Sequence, residues 1–345
     1  MDVKVGIIGA TGYGGLELIR LLHRHSGITS IDLFTSSDEG ELFSHKYTYL
    51  MNIYDTPLHK IRIEHLAKLD VIFTSTPSGV TSRLLPPLIG KGPRIIDLSG
   101  DFRLSAEDYS EWYGKDAAPE SSLQKSVYGL TEWNRDAVKD AVMVANPGCY
   151  PTAVLLSLLP AVKNGLINTD NLIIDAKSGV SGAGNKPNQM THFSETNESL
   201  SIYKVNKHQH IPEIETGLAR FAEKTRPITF STHLVPMTRG ILAAAYAPLA
   251  DGVTEKQLQE CYQDSYQNET FVRVMPPGPK FSTNQVYGSN YCDLQIHVDK
   301  RTNRATIVSV IDNLVKGAAG QAIQNMNVQF GFKETEGLDL VPSYI

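Results

Sequence analysis

The sequence predicts an α/β protein of two domains: a Rossmann-type doubly wound domain, then an α+β domain with a mixed or antiparallel sheet. Three observations carry this. A strand-like run, a glycine turn, a helical run and a second strand follow one another within residues 3–35, and such a βαβ unit implies a parallel sheet. Strand and helix patterns keep alternating to about residue 148. Beyond it, alternating strand-like segments dominate, the pattern of a sheet with one buried face.

In order along the chain, VKVGIIG is dense in Val and Ile, as a buried strand is. GLELIRLLHRH follows the glycine turn with Leu16, Ile19 and Leu22 at helical spacing, and SIDLFTS reads as the second strand. The strand LDVIFTSTP, a helix over Ser78–Leu88, and the strands PRIIDLSG and VMVAN continue the alternation. The chain then turns through ANPGCYPT into the helix AVLLSLLPAVKNG and the strand NLIIDAKSG. A long polar stretch covers Val180–Pro212. ITFSTHLVP, GILAAAYAPL, FVRVMP, YCDLQIHVD and RATIVSVID read as strands, and NLVKGAAGQAIQNMN as a late helix whose small residues suit close packing.

A chain of 345 residues is long enough for two cores. With 41% apolar and 20% charged residues it has an ordinary soluble composition. A net charge of −5 gives no footprint for nucleic acid or an anionic membrane. The three cysteines, Cys149, Cys261 and Cys292, are widely spaced with no CxxC pair. That argues against a disulfide framework or a structural zinc site and for a reducing compartment. MDVKVGIIGATGYGG enters a strand directly, without the layout of a signal peptide. No apolar run approaches the ~20 residues of a membrane span. A cytoplasmic enzyme is the expectation.

Gly9, Gly12 and Gly15 stand in GATGYGG between the first strand and the first helix, a GxxGxxG variant of the dinucleotide fingerprint. Glycine there permits a tight turn, a close approach of the pyrophosphate and donation from the helix N-terminus. The second strand is followed by Thr35, Ser36 and Ser37, with no carboxylate until Asp38. Hydroxyls accept a 2′-phosphate without repelling it, which favours NADP(H) as cofactor. Asp32 lies inside the strand and is expected to point elsewhere.

Cys149 is boxed by Pro147, Gly148 and Pro151 just ahead of a helix, with Thr152 in the cap region. A helix N-terminus favours the thiolate of such a cysteine, so Cys149 is the candidate nucleophile. Cys261, in a polar helical segment, and Cys292, in an alternating strand, are expected to be structural. NKHQHIPEIE supplies His208 and His210 two positions apart. Extended backbone before Pro212 would point both imidazoles the same way. Such a pair suits a metal, but Glu213 is the only third ligand nearby, and hydride chemistry through a cysteine needs none. General acid/base use of one histidine is the better fit.

Together GATGYGGLELIRLL, STPSGV, DLSGDFRL, NPGCYPT, KSGVSGAG, HQHIPEI, HLVPMTRGI and DNLVKGAAGQAIQNMN resemble the N-acetyl-γ-glutamyl-phosphate reductase family, within the semialdehyde dehydrogenase superfamily. The segments run from residue 9 to residue 327, and NPGCYPT and HQHIPEI are the specific ones. The family often has Arg where Gln209 stands, Ala at Gly100, and Arg near Ser37.

The resemblance implies an NADP-dependent enzyme of arginine biosynthesis with a second domain like that of glyceraldehyde-3-phosphate dehydrogenase. The late helix then crosses back from about Asn313, so 1–148 plus 313–345 form the nucleotide domain and 149–312 the catalytic and oligomerisation domain. Thr11, Tyr13 and Gly14 of the glycine loop, Ser75 and Pro77 of STPSGV, and Asn313 and Gly317 join the cofactor residues. By the same resemblance Cys149 attacks the acyl phosphate, His210 is the acid/base and His208 a substrate contact. Amides after Cys149 are expected to hold the oxyanion. Arg103 and Arg239 are the candidates for the anionic substrate, and Ser181 and Gly182 for phosphate through their backbone donors. No metal, nucleic acid or membrane partner is implied; a homodimer or homotetramer is. The alternatives are a reductase of aspartyl or N-modified aminoadipyl phosphate, and a non-catalytic NADP-sensing protein. A cysteine hydrolase would leave the glycine loop unexplained.

Overall fold

The computed structural model describes residues 2–221, 226–278 and 280–344. It divides into two compact units, one of Met1–Pro147 with Ala318–Leu338, the other of Gly148–Gly317 with Asp339–Ile345.

In the first unit seven strands form one sheet: β1 (Val3–Ile8), β2 (Ile28–Thr35), β3 (Leu58–Lys60), β4 (Val71–Thr74), β5 (Arg94–Asp97), β6 (Ser126–Tyr128) and β7 (Met143–Ala145). Their order is β3-β2-β1-β4-β5-β7-β6 and every pairing is parallel. The central strands β4 and β7 are buried along their whole length, as strands covered on both faces must be. One face carries Ile8, Phe34, Ile72, Ile95 and Met143 against Leu66, Leu85 and Leu88. The order reverses between β1 and β4, and in such sheets ligands bind at the strand ends beside that point.

The helix expected over Ser78–Leu88 shrinks to the single turn Thr81–Leu84. Pro86 and Pro87 follow at once, and the residue before a proline is pushed out of the helical region. The late helix, Gly320–Phe330, is buried along most of its length despite its polar side chains. Their amide nitrogens find acceptors: Asn325 donates to Gly129 O and Asn146 Oδ1 at 2.8 and 3.1 Å and accepts from Thr131 Oγ1 at 2.7 Å, while the side-chain oxygens of Gln321 and Gln329 are buried without a hydrogen bond.

Among the described residues the second unit also holds seven strands: β8 (Ile173–Gly179), β9 (Ser201–Tyr203), β10 (Thr229–Val235), β11 (Ile241–Pro248), β12 (Val272–Val274), β13 (Cys292–Asp299) and β14 (Arg304–Ile311). The order is β12-β13-β14-β11-β8-β10-β9, with β8/β10 and β12/β13 parallel and the rest antiparallel. Alternate residues of β8 and β10 are buried. The helix Cys149–Lys163 packs on β11 and β14, flanked by the helices His210–Phe221 and Glu255–Tyr266. Tyr150 through Val162 are all buried in it, which is why its sequence is apolar all round. Pro160 lacks an N–H, so the Leu156 carbonyl loses its intrahelical donor; the Tyr266 hydroxyl replaces it at 2.5 Å.

The polar stretch 180–212 is not continuous loop. It contains the turns Val180–Ala183 and Gln189–Thr191, the helical turn Phe193–Thr196 and the edge strand β9. The extended backbone expected before Pro212 is absent. A helix already begins at His210, and Pro212 occupies its first turn, where a missing N–H costs nothing.

The chain re-enters the first unit at Ala318 rather than near Asn313, and Asp339–Ile345 count with the second. Asp312 and Asn313 are pinned within the second unit. The Asp312 carboxylate accepts from the N–H groups of Gly288, Leu314 and Val315, and Asn313 Oδ1 from that of Gly240.

Candidate active site

In the first unit, β1 runs into the glycine loop and the helix Tyr13–Leu22. Gly9 sits at φ +86°, and a Cβ there would lie 2.3 Å from the Ser75 carbonyl oxygen, so only glycine fits. Gly12 is different: its φ of −87° and ψ of 167° suit any residue, and a Cβ would meet nothing nearer than 3.6 Å. Glycine at Gly12 leaves open the space that a phosphate group needs to approach the backbone. No side chain caps the helix at Gly12, so its first N–H groups are not taken by a cap. These features fit a dinucleotide pyrophosphate.

The other cofactor candidates surround this loop. A Cβ on Gly14 would lie 2.4 Å from the Ser75 hydroxyl oxygen, and a Cβ on Gly15 would collide with Gly9 O at 2.4 Å. Thr11 O accepts from the Tyr47 hydroxyl at 2.7 Å, and Tyr13 is 40% exposed. Pro77, Ser36 and Ser37 are exposed. Asp32 bonds His65 Nε2 at 2.8 Å, away from the end of β2.

Arg103 belongs to the first unit and is buried. It donates from Nε to Asn146 O at 2.7 Å and from Nη2 to Leu98 O at 2.9 Å, so at least two of its donors brace the exits of β7 and β5.

In the second unit, Cys149 is the first residue of its helix, after Gly148 in an extended conformation and without a side-chain cap. Pro151 has no N–H, and the Thr152 N–H donates to Gly148 O at 2.9 Å. Of the amides expected to hold an oxyanion, Tyr150 is thus the one after Cys149 that the helix does not use. Gly317 closes the other side: a Cβ on it would sit 2.8 Å from Cys149 Cβ.

Glu213, 2% exposed, links the turn before Cys149 to a histidine. Its Oε1 accepts from the Gly148 N–H at 2.8 Å and its Oε2 lies 2.8 Å from His210 Nδ1. A carboxylate can only accept, so Nδ1 carries the proton and Nε2 is the basic nitrogen. The imidazole lies against Gly148, where a Cβ would come within 2.2 Å of Cε1. His208 is arranged otherwise. Its Nδ1 accepts from the His210 backbone N–H at 3.2 Å, which fixes the proton on Nε2. Burial, then the neighbouring His210 and Lys204, push its pKa down to about 2. His208 thus presents an N–H at Nε2, and His210 an Nε2 without a proton in its neutral tautomer. The rings stand 4.9 Å apart at 33°. Among the described residues no three His, Cys, Asp or Glu side chains converge as metal ligands. Tyr150 donates to His233 O at 3.3 Å, and burial raises its phenol well above the usual range.

Three turns of the same unit interlock beside these groups. Asn313 Nδ2 donates to Ser181 Oγ at 3.0 Å while Asn313 Oδ1 holds the Gly240 N–H at 2.8 Å. Arg239 Nη1 is 3.5 Å from Asp312 Oδ2 and the side chain keeps 21% exposure. Asn313, expected beside the nicotinamide, therefore spends its amide on Ser181 and Gly240. The Ser181 N–H, expected to cradle phosphate, donates to Thr238 O at 3.1 Å, because the turn after β8 pairs with the β10–β11 connection. The Gly182 amide is the remaining candidate of that pair.

Glu213 has the clearest role that the sequence leaves unassigned. Its spacing of three from His210 is a signal once a helix is known to start at His210. The buried Asp312 that bonds Arg239 had no sequence signal.

Comparison with known proteins agrees with this architecture. Residues 4–141 match the semialdehyde dehydrogenase NAD binding domain, and residues 149–313 the semialdehyde dehydrogenase dimerisation domain. The chain is 54% identical over 343 residues to the N-acetyl-gamma-glutamyl-phosphate reductase of Geobacillus kaustophilus (strain HTA426), covering 99% of this chain and 100% of that protein. It is 50% identical over 345 residues to the same-named protein of Bacillus anthracis (strain A0248), with 99% and 100% covered. Among solved structures, aspartate semialdehyde dehydrogenase II of Vibrio cholerae, complexed with ASA, superposes with a TM-score of 0.71 at 15% identity, over 96% of this chain and 99% of that one. Aspartate semialdehyde dehydrogenase with NADP from Candida albicans gives 0.69 at 16%, over 95% and 98%. These two establish the fold.

Proposed function

The chain belongs to the N-acetyl-gamma-glutamyl-phosphate reductase family, and we propose that it reduces N-acetyl-γ-glutamyl phosphate to N-acetylglutamate 5-semialdehyde and phosphate, using NADPH and a thioester on Cys149. It is an oxidoreductase of the semialdehyde dehydrogenase fold, and the reaction belongs to arginine biosynthesis. The observation that carries the mechanism is the Glu213 carboxylate, which holds both the Gly148 amide beside Cys149 and Nδ1 of His210.

His210 Nε2 takes the Cys149 proton, and the Glu213 carboxylate offsets the imidazolium charge. The thiolate, favoured by the helix N-terminus, attacks the acyl carbon and phosphate leaves. When bound, the reduced nicotinamide supplies the hydride that converts the thioester to a thiohemiacetal. The oxyanion of each tetrahedral stage draws on the Tyr150 N–H. Collapse expels the Cys149 thiolate, which His210 reprotonates. Neutral His208 offers its Nε2 proton to the substrate without adding charge. Arg239, held by Asp312, is the cation for a substrate oxyanion, with Gly182 beside it. Arg103 contributes by bracing the β7 exit and is the second cation. The Ser36 and Ser37 hydroxyls support NADP over NAD.

Self-association through the sheet of the second unit fits the dimerisation-domain match. A cytoplasmic location belongs to the same reading, on the wide spacing of the three cysteines. Among the described residues no helix is long and apolar enough to cross a membrane.

The test is Cys149→Ser, assayed for phosphate-dependent oxidation of N-acetylglutamate 5-semialdehyde with NADP+. Turnover should fall to background. Wild-type rates would overturn the thioester route, and a higher kcat/KM on aspartate or aminoadipate semialdehydes would overturn the substrate.

A further inference from the structure

Beyond the serines at the end of β2 lies an acid that ought to disfavour a 2′-phosphate. Asp38 follows Ser37 directly, in the part of a doubly wound fold where the adenine ribose is read. A bare carboxylate there accepts the ribose hydroxyls of NAD and repels the extra phosphate of NADP. Asp38 is not bare. Lys46 Nζ donates to its Oδ2 at 2.7 Å, and both side chains are partly exposed, 37% for Lys46 and 28% for Asp38. The lysine bond and the Ser37 hydroxyl hold the Asp38 carboxyl below its usual range.

Lys46 is also fixed in relation to the glycine loop. It ends the helical turn Phe43–Lys46, whose Phe43 is fully buried and whose Phe43 N–H donates to Thr56 O at 2.9 Å. The next residue, Tyr47, bonds Thr11 O at 2.7 Å. The backbone at Lys46 is thus tied to the loop that the pyrophosphate would meet, while the ammonium reaches solvent. Arg62, another cation of this edge, is paired with Glu39 at 2.7 Å. An exposed ion pair contributes little to stability, so the Lys46 donors are readily redirected.

We propose that Lys46 selects NADP over NAD: its ammonium, stationed on Asp38 beside Ser36 and Ser37, receives the 2′-phosphate. The inference rests on the reading of NADPH as the cofactor. Asp38 then serves as the lysine's anchor, in place of an acceptor for ribose.

Calorimetric titration of the whole protein with NADP+, NAD+ and adenosine 2′,5′-bisphosphate tests it without turnover. Lys46→Ala should weaken NADP+ and the bisphosphate by about tenfold or more while NAD+ changes less than about threefold. Lys46→Arg should recover most of the loss. A Lys46→Ala protein whose NADP+/NAD+ ratio stays within about threefold of wild type overturns the assignment, as does equal weakening of both nucleotides. If wild type itself binds the two equally, the NADP reading fails at its source, a result separate from loss of the lysine effect alone.

Discussion

At Gly148 the backbone before Cys149 and the His210 ring meet through one carboxylate, that of Glu213. Removing the Glu213 charge should therefore disturb His210 rather than substrate binding. In Glu213→Gln, the tautomer of His210 is no longer fixed, and kcat should drop roughly 10²-fold with KM nearly unchanged. The pH profile separates the histidines. His208 is held neutral down to about pH 2, so it titrates nowhere in the working range. The acidic limb of kcat/KM should persist in His208→Asn, and the residual rate of His210→Asn should be ~10²–10⁴-fold lower. An acidic limb that vanishes only in His208→Asn would reverse the assignment. At this scale the position of Cys149 at a helix start is legible because its turn is spelled out by Pro147, Gly148 and Pro151. The choice between His208 and His210 is not legible from spacing, since it depends on which ring nitrogen the fold leaves basic.

Secondary structure follows the sequence where one signal acts alone and departs from it where two compete. The strands β1, β8 and β14 lie where their Val and Ile runs put them. The Ser78–Leu88 run has an apolar period, but Pro86 and Pro87 cut it to Thr81–Leu84. At His210 the reverse happens. Pro212 suggests extended chain, yet a proline in a first helical turn costs no hydrogen bond, and burial of Ile211, Ile214 and Leu218 favours the helix. That helix start places Glu213 under His210, so the misread element is also why the carboxylate's role is hidden. The Cys149 helix carries an element-scale defect, the Leu156 carbonyl orphaned by Pro160 and bonded by Tyr266. Tyr266→Phe should cost about 1–3 kcal/mol of unfolding free energy, since a buried carbonyl loses its donor. Urea unfolding checks it, with kcat retained. A loss below about 0.5 kcal/mol would mean that the hydroxyl is not needed there.

For the whole molecule, the division into a parallel and a mixed sheet is legible because βαβ alternation and strand alternation are different periods. The point of return to the first unit is not, because it is set by the contacts of Asp312 and Asn313. The expected place of assembly is the second sheet, in the region that matches a dimerisation domain. Its helices cover the face that buries Ile174, Ala176, Ala243, Ala245 and Ile307. The opposite face sets Leu242 and Tyr246 of β11 beside Val310 and Thr306 of β14, with Ala244 beside Val308 and Asp175 between them and His233. Leu242, Tyr246 and Val308 remain partly exposed there. Asp175 Oδ1 is buried on that face, without a hydrogen bond, 3.2 Å from His233 Nδ1. A broad sheet face of this kind, in a region matching a dimerisation domain, suits a second copy, because a stable interface needs on the order of 1,600 Å² of shared burial. Val308→Glu would set a carboxylate at the centre of that face without touching the Cys149 helix. Sedimentation should show wild type as an assembly of two or more chains and the variant as a folded single chain. An assembly that survives Val308→Glu, or a wild type that sediments as one chain, would place self-association elsewhere or remove it.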